Sequence, residues 1–312
     1  MAQQAPGPWV EWQTLALLGG LYAAWMALVW FHAALPIWLW LPLAGLASAL
    51  WGSAQHEIIH GHPTRSRRLN AALATPPIRL WLPFERYRRT HLTHHRDERL
   101  TDPLDDPESR YWTPEEWQRL GRVGRALAQA QATLAGRLLI GPFWTVSRFW
   151  GQEVRAVRAG HHGIARVWAW HAVLVALLLG FAIGIAGIPA WQYLAGFVWL
   201  GTVIALIRSF AEHRAHDAPD RRTAIVENSP FLGFLFLHNN LHVAHHRWPA
   251  VPWYRLPQLY RARRAELVEA NGGLVYDGYG DVFRRFLLRP HDAPVHPTAR
   301  APGRPVHHDG TA

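Results

Sequence analysis

The chain has 312 residues, of which 50% are hydrophobic, and its 32 basic and 22 acidic residues give a net charge of +10. It has no cysteine, which excludes disulfides, zinc–thiolate sites, iron–sulfur ligation and thiol catalysis. A pI near 10.8 would suit a nucleic-acid partner, but the positions of the arginines described below argue against nucleic acid.

Two long stretches of the chain, residues 12–56 and 167–207, contain no Asp, Glu, Lys or Arg. A span takes about 20 apolar residues, so each stretch is long enough for two helices. Pro36 and Gly187-Ile188-Pro189 supply a turn near the middle of each. Helix pairs of a soluble protein would carry a polar face. We therefore predict an all-α integral membrane protein with two transmembrane helical hairpins, whose four spans cover about 13–34, 36–55, 167–187 and 190–208.

Arginines, which supply every basic residue, fill the segment that follows each hairpin, whereas the hairpin turns carry no charge. This is the positive-inside pattern. It predicts that both termini and the segments 56–166 and 209–289 are cytoplasmic and form a helical cap. Within the first segment, arginines alternate with apolar residues over 113–166, which predicts amphipathic helices in the membrane interface. The predicted domain covers 1–289, and the Pro-rich tail 290–312, with its His307-His308 pair, is predicted to be disordered.

Histidines are the second unusual feature, because most of the 20 fall in tight groups. Histidines four apart on a helix lie on one face, so their imidazoles can aim at one point. In H-x-x-H-H, the first and fourth residues are expected to share a face with the fifth beside it, and one such triplet could bind one ion or bridge two. The groups are one H-x-x-x-H, two H-x-x-H-H and one single histidine: His56 and His60; His91, His94 and His95; His242, His245 and His246; His213.

By the predicted topology, all four groups lie at cytoplasmic helix ends. Neutral imidazole suits iron, zinc and copper. Nine to ten nitrogen ligands are too many for one ion and suit two, which predicts a centre of two metal ions. Single histidines such as His32 and His171 are expected to be packing or interfacial residues.

Two other interpretations compete with this centre. His56-Glu57-Ile58-Ile59-His60 also fits H-E-x-x-H, in which two histidines bind zinc and the glutamate is the general base of a metalloprotease. An intramembrane protease would leave both H-x-x-H-H groups unexplained. A metal carrier or haem protein is the third interpretation, but transporters usually place polar ligands inside the spans.

The same residues resemble the membrane fatty acid desaturase superfamily, whose members combine three histidine boxes with two transmembrane hairpins. The similarity covers about Trp12 to Tyr254 and is closest to bacterial members in the segment from His238 to Tyr254. Arg208 to Arg214 resembles the segment that supplies an extra ligand. We number the boxes along the chain: His56 and His60 form box one, His91, His94 and His95 form box two, and His242, His245 and His246 form box three. Box one departs from the H-x-x-x-x-H of many desaturases, and its shorter H-x-x-x-H also occurs in hydroxylases and ketolases of the superfamily.

The resemblance implies nine metal ligands and a few residues that contact these ligands without binding the metal. Glu57 would orient a ligand imidazole, Asn240 would hold a ligand or water, and His62 is expected beside the ligands rather than among them. The acidic loop of residues 97–108 is either solvated or supplies a carboxylate to ligand histidines or to a substrate head group. The implied ligands are His56, His60, His91, His94, His95, His213, His242, His245 and His246.

The implied function is O₂-dependent oxidation of a fatty acyl chain by two iron ions, with desaturation as the expected reaction. Hydroxylation of a fatty acid, or ketolation or hydroxylation of a carotenoid, is the alternative. The chain has no His-Pro-Gly-Gly signature of a fused cytochrome b5. We therefore expect a separate ferredoxin- or rubredoxin-like electron donor on the arginine-rich face, a lipid substrate, and a location in the bacterial inner membrane.

Overall fold

The computed structural model describes residues 10–297, with the exception of the Asp97 side chain. Helices make up most of this part of the chain, and its only sheet among the described residues has two short parallel strands. In chain order the elements are α1 (Trp12–Trp30), α2 (Ile37–Ile59), α3 (Arg67–Ala74), α4 (Phe84–His94), α5 (Pro114–Arg119), α6 (Arg122–Gln131), α7 (Leu134–Leu139), α8 (Gly141–Arg158), α9 (His162–Leu179), α10 (Ala190–Tyr193), α11 (Gly201–Glu212), β1 (Ile225–Val226), α12 (Pro230–Leu235), α13 (His242–Arg247), α14 (Leu256–Ala270), β2 (Val275–Tyr276) and α15 (Gly278–Phe286).

Four helices are long and apolar enough, by length and composition, to cross a membrane. They are α1, α2, the continuous helix His162–Ile185 that contains α9, and the continuous helix Ala190–Glu212 that contains α10 and α11. The four predicted spans are thereby confirmed as helices. Their ends differ from the prediction, since α1 already ends at Trp30 and the last helix continues to Glu212.

Proline fixes the start of the second helix in each hairpin, as the sequence predicts. Pro36 directly precedes α2 and Pro189 directly precedes α10. Proline has a fixed φ and no N–H to leave unpaired at a helix start. Large aromatic side chains near these turns are exposed, including Trp30, Trp38 and Trp191, as expected for residues that face lipid or its interface.

Helix α2 packs very closely against the helix Ala190–Glu212. A β-carbon on Gly196 would lie 2.6 Å from Cζ3 of Trp40, and one on Gly201 would lie 2.3 Å from Oγ of Ser48. Only glycine fits at such a contact, which is how small residues allow apolar helices to approach each other. Both helices start at a hairpin turn, so this packing brings their opposite ends together. The end of α2 carries His56, and His213 directly follows the end of the helix Ala190–Glu212.

The end of α2 is defined by Gly61, which has a positive φ of 102° and whose N–H bonds to the Ile58 carbonyl. Glycine tolerates this left-handed conformation and ends helices for that reason. Because α2 continues to Ile59, His56 lies inside the last turn of the helix rather than beyond its end. The predicted end of the second span at residue 55 is therefore about one helical turn too early. The hydrophobic span ends before the helix does.

The remaining helices and both strands lie in residues 60–161 and 213–297, which are here called the polar cap. The cap continues past Pro290, where we predicted a disordered tail. His291 and His296 are buried, His291 N–H bonds to the Ala132 carbonyl, and Asp292 pairs with Arg110. The predicted tail boundary is thus too early, at least up to residue 297. Residues 298–312, with the His307-His308 pair, lie outside the described part.

Candidate metal centre

Four separate segments carry the nine predicted ligands to one place. His56 lies in α2. His91 and His94 lie in the last turn of α4, and His95 directly follows that helix. His213 directly follows α11, and α13 begins at His242. Pro83 precedes α4, which sets the start of the helix and so the faces on which its histidines lie.

Five of these histidines form one group, here called the five-histidine cluster. One ring nitrogen from each can be chosen so that all lie within 4.8 Å of one another. Nε2 of His91 lies 3.2 Å from Nε2 of His60 and 3.0 Å from Nε2 of His95, and Nε2 of His95 lies 3.1 Å from Nε2 of His245. The members are His56, His60, His91, His95 and His245.

The other four predicted ligands form a second group, here called the four-histidine cluster, under the same 4.8 Å limit. Nε2 of His213 lies 3.0 Å from Nε2 of His94 and 2.9 Å from Nε2 of His242. The two clusters adjoin, because the rings of His95 and His246 stack with centroids 4.2 Å apart. The members are His94, His213, His242 and His246.

Each H-x-x-H-H triplet contributes to both clusters. In box two, the five-histidine cluster takes His91 and His95, and the four-histidine cluster takes His94. In box three the division is reversed, since His242 and His246 are in the four-histidine cluster and His245 is not. Residues four apart therefore share a cluster, rather than the residues three apart that we expected to share a face. This makes each box a bridge between two sites.

The donor geometry fits metal ions. Adjacent nitrogens bound to one ion at about 2.1 Å lie about 3 Å apart, which matches the Nε2–Nε2 distances in both clusters. A neutral imidazole offers a ring-nitrogen lone pair to a metal ion, so several rings grouped this closely can bind one ion together. Imidazoles without any thiolate or carboxylate in either group suit iron, zinc or copper.

Two carboxylates of the acidic loop accept hydrogen bonds from histidines of box two. Nδ1 of His91 donates to Glu108 at 3.0 Å, and Nδ1 of His94 donates to Asp106 at 2.9 Å. Donation through Nδ1 leaves the Nε2 lone pair for a metal and fixes the ring orientation. Of the two interpretations of the loop, the structure favours the one in which it supplies carboxylates to ligand histidines.

Two further supporting residues were missed by the sequence analysis. Nδ1 of His242 donates to Asn239 at 2.9 Å and lies 3.5 Å from Glu212, and Asn239 also donates to Glu212 at 3.1 Å. Glu212 directly precedes His213 in the sequence, and Asn239 lies three residues before His242. Their burial at 2% and 7% exposure makes these contacts strong.

The electrostatics of the clusters favour neutral imidazoles in the five-histidine cluster. Burial lowers the pKa of His60 to about 3, and burial together with His95 lowers the pKa of His91 well below its usual value. Ligand imidazoles must be neutral, so these rings are ready to bind an ion. For His94, burial acts in the same direction, but Asp106 and Glu108 raise its pKa to about 9.

Glu57 and His62 lie together in a third group with Glu11, apart from both clusters. Nδ1 of His62 contacts Glu11 at 2.6 Å, its Nε2 lies 3.8 Å from Glu57, and Glu57 accepts the Trp253 N–H at 2.8 Å. Glu57 is thus engaged with His62 and the backbone, and its position does not fit the general base of an H-E-x-x-H protease. His62 belongs to neither histidine cluster.

The other histidines and asparagines near the boxes have different positions. Asn240 donates to the Val226 carbonyl, whereas its neighbour Asn239 makes the contact to a ligand ring. His216 is exposed, and His238 stacks on Trp253 at 6.1 Å. The sequence pattern N-N-x-H does not distinguish the two asparagines, because only the backbone turn decides which one faces His242.

Comparison with known proteins agrees with this site. The sequence model of the family described as fatty acid desaturase matches residues 33–278, a range that includes all nine cluster histidines. The beta-carotene ketolase of Paracoccus sp. (strain N81106 / MBIC 01143) is 30% identical over 267 residues, which cover 78% of this chain and 90% of the ketolase. The chain therefore belongs to the fatty acid desaturase family of oxidoreductases.

Proposed function

We propose that the protein binds two iron ions, one in each histidine cluster, and catalyses O₂-dependent oxidation of a fatty acyl chain, with desaturation as the reaction. The observation that carries this is the division of nine imidazoles into two adjoining groups with Nε2 atoms about 3 Å apart. All nine ligands are imidazoles, and the carboxylates Asp106, Glu108 and Glu212 that contact them would balance part of the charge of two cations.

The bound iron would supply the reduction of O₂ and an oxidant that can remove hydrogen from an unactivated methylene group. The chain itself has other tasks. Its ligand imidazoles are held in one orientation by Asp106, Glu108 and Asn239, so that the two sites are preorganised. The substrate must be held so that only one carbon of the chain is within reach of the oxidant.

Apolar cavities on the outside of the long helices suit a substrate that is dissolved in a membrane. One cavity of about 620 Å³ lies between α8 and the helices that contain α9 and α10, and Trp81, Phe143 and Trp199 are among its lining residues. Apolar clefts of this size bind lipid-like ligands. Because Trp81 is in the polar cap, the cavity extends from the apolar helices towards the histidine end.

A second candidate function is ketolation of a carotenoid ring by the same two ions. It is favoured by the similarity to a beta-carotene ketolase over 90% of that protein, and by the H-x-x-x-H spacing of box one. Both reactions use the same kind of oxidant. They differ in whether the substrate loses two hydrogen atoms or also gains an oxygen atom.

We further propose that the clusters face the cytoplasm of a bacterium, with the protein in its inner membrane. Arginine placement supports this topology. A ferredoxin- or rubredoxin-like donor would then dock on exposed arginines of the cap, such as Arg67, Arg68 and Arg261. Attraction between exposed charges is screened by salt, so electron transfer from the donor should slow as ionic strength rises. A salt-independent rate would argue against docking at this face.

The test combines metal content with product analysis. The full chain is purified from a host grown with iron, and we expect two iron ions per chain. Lipids and carotenoids of a host that lacks both activities are then compared by mass spectrometry with and without the protein. An acyl product that has lost two hydrogens supports desaturation, and a carotenoid in which oxygen replaces two hydrogens supports ketolation. One zinc per chain, or product formation without O₂, would contradict the proposal.

A further inference from the structure

A polar cavity beside the candidate metal centre is rich in arginine. It has a volume of about 240 Å³ and lies between the segment that precedes α4, helix α8 and helix α11. Five arginines line it, against a single carboxylate, Glu108. We call it the arginine pocket, and its arginines are Arg79, Arg110, Arg137, Arg148 and Arg208.

Nearby carboxylates neutralise only two of these arginines. Arg110 pairs with Asp292 at 3.1 Å, and Nε of Arg208 pairs with Glu212 at 3.1 Å, although Nη1 of Arg208 is buried without a hydrogen bond to any described residue. Glu108, the carboxylate in the wall, accepts from His91. The positive charge of the pocket is therefore not balanced by the chain.

The other three arginines have no hydrogen bond or ion pair from their side chains within residues 10–297. Arg137 is only 8% exposed, and its Nε is fully buried without a partner, as is Nε of Arg79. Arg148 lies over the Trp112 ring at 5.1 Å. Burial lowers the pKa of Arg137 to about 9 and that of Arg79 to about 10. A buried, unpaired guanidinium is costly, and an anion in the pocket would remove that cost.

The cavities that adjoin the arginine pocket indicate the chemistry of the rest of the ligand. The apolar cavity described above shares Trp81 and Thr202 with the arginine pocket. On the other side, a small cavity of about 70 Å³ shares Arg137 with it and reaches His94 and His213 of the four-histidine cluster. A ligand with a charged head and an apolar tail could occupy both larger cavities while it lies beside the metal centre.

We propose that the arginine pocket binds the carboxylate of a free fatty acid, whose chain lies in the adjoining apolar cavity. Arginine suits this role because its planar guanidinium forms paired hydrogen bonds with a carboxylate. The inference rests on the proposed function, since it names the substrate class of that site. It favours an acidic acyl chain over a carotenoid hydrocarbon, which has no anionic group for the pocket.

Binding can be measured without turnover. The full chain in a neutral detergent, without O₂ or reductant, is titrated with palmitic acid, hexadecanol and hexadecyl phosphate. We expect palmitic acid to bind more tightly than hexadecanol by about 10-fold to 100-fold, which corresponds to hydrogen bonds with charged groups. Equal affinity of the acid and the alcohol would overturn the proposal, and so would tight binding of the phosphate with none of the acid.

Variants assign the binding to the pocket. Arg137→Gln should reduce the affinity for palmitic acid by about 10-fold or more and leave hexadecanol binding unchanged. Arg79→Gln and Arg148→Gln test the same pocket if the buried Arg137 is needed for folding. Arg155→Gln is the matched control, because Arg155 lies on α8 with Arg148 but is exposed and outside the pocket. Equal effects of the control and the pocket variants would overturn the assignment.

The binding result and the oxidation result can be separated. If palmitic acid binds through the pocket arginines but no acyl product forms with O₂ and reductant, the proposed function fails and the pocket remains. If oxidised acyl product forms while palmitic acid shows no preference over the alcohol, the proposed function remains and the carboxylate site is wrong.

Discussion

The two histidine clusters use the same kind of donor but are supported differently. Within the described residues, one carboxylate contacts the five-histidine cluster, Glu108, and its side chain is 35% exposed. Two carboxylates contact the four-histidine cluster, Asp106 and Glu212, with exposures of only 1% and 9%. The four-histidine cluster has fewer imidazoles, but more carboxylates contact it, and these carboxylates are more deeply buried.

The difference has a physical consequence for metal binding. A buried carboxylate interacts more strongly with the ring it holds than an exposed one does, because less water screens the interaction. It also raises the donor strength of the imidazole. We infer that the four-histidine cluster holds its ion through rigid, basic ligands, whereas the five-histidine cluster relies on the number of its ligands. The predictions below test this contrast.

The largest effect is expected from removal of a ligand. His94→Ala leaves the four-histidine cluster with three imidazoles, whereas His245→Ala leaves the other cluster with four. Both variants should lose oxidation activity. The iron content should fall to about one ion per chain for His94→Ala and should fall less for His245→Ala, because four ligands still complete a site.

Elemental analysis of the purified variants checks this prediction. His216→Ala is the control, since His216 is exposed and outside both clusters. It should keep both activity and iron. If His245→Ala loses as much iron as His94→Ala, the ligand count does not explain how the five-histidine cluster holds its ion.

The next effect concerns the buried carboxylate behind His94. Asp106→Asn keeps the shape of the side chain but removes the charge that strengthens the imidazole. We expect the affinity of the four-histidine cluster for iron to fall by about 10-fold to 100-fold, measured by competition with a chelator. Asp105→Asn is the control in the same loop, and it should leave the affinity unchanged. Equal losses in the two variants would point to the loop conformation rather than to the charge.

Much of the fold and most of the candidate site could be predicted from the sequence, for identifiable reasons. Long stretches without charge and a proline in the middle of each predict helical hairpins directly. Eight of the nine cluster histidines stand in spaced motifs, and the family resemblance implied all nine as ligands. The tail boundary at Pro290 was wrong, because single contacts such as Asp292 to Arg110 leave no periodic signal in a sequence.

The assignment of each histidine to a cluster could not be predicted. His94 and His95 are adjacent in sequence, but successive side chains on a helix point in directions about 100° apart, and the two rings join different clusters. Spacing alone permits either division. Only the positions of the other two boxes, which depend on the close packing of the long helices, select one.

A smaller effect is expected from the asparagine that contacts His242. Asn239→Ala removes the acceptor of the His242 ring and a donor to Glu212, both buried. Iron affinity should fall on the order of 10-fold. Asn240→Ala is the matched control, because the Asn240 side chain bonds only to the Val226 carbonyl among the contacts that the structure describes. It should lower stability by about 1 kcal/mol and leave iron affinity unchanged. The reverse result would mean that Asn240 is the ligand-supporting residue.

The smallest effect is expected at the exposed carboxylate of the five-histidine cluster. Glu108→Gln still offers an oxygen to Nδ1 of His91, and the lost charge was already partly screened by water. Iron affinity of that cluster should therefore change by less than about 10-fold, with Glu98→Gln, an exposed neighbour in the same loop, as the control. A loss as large as that of Asp106→Asn would show that burial of the carboxylate is not what distinguishes the two clusters. The arginines that line the same pocket as Glu108 would then be the next cause to test, because their positive charge favours the ionised form of this carboxylate beside His91.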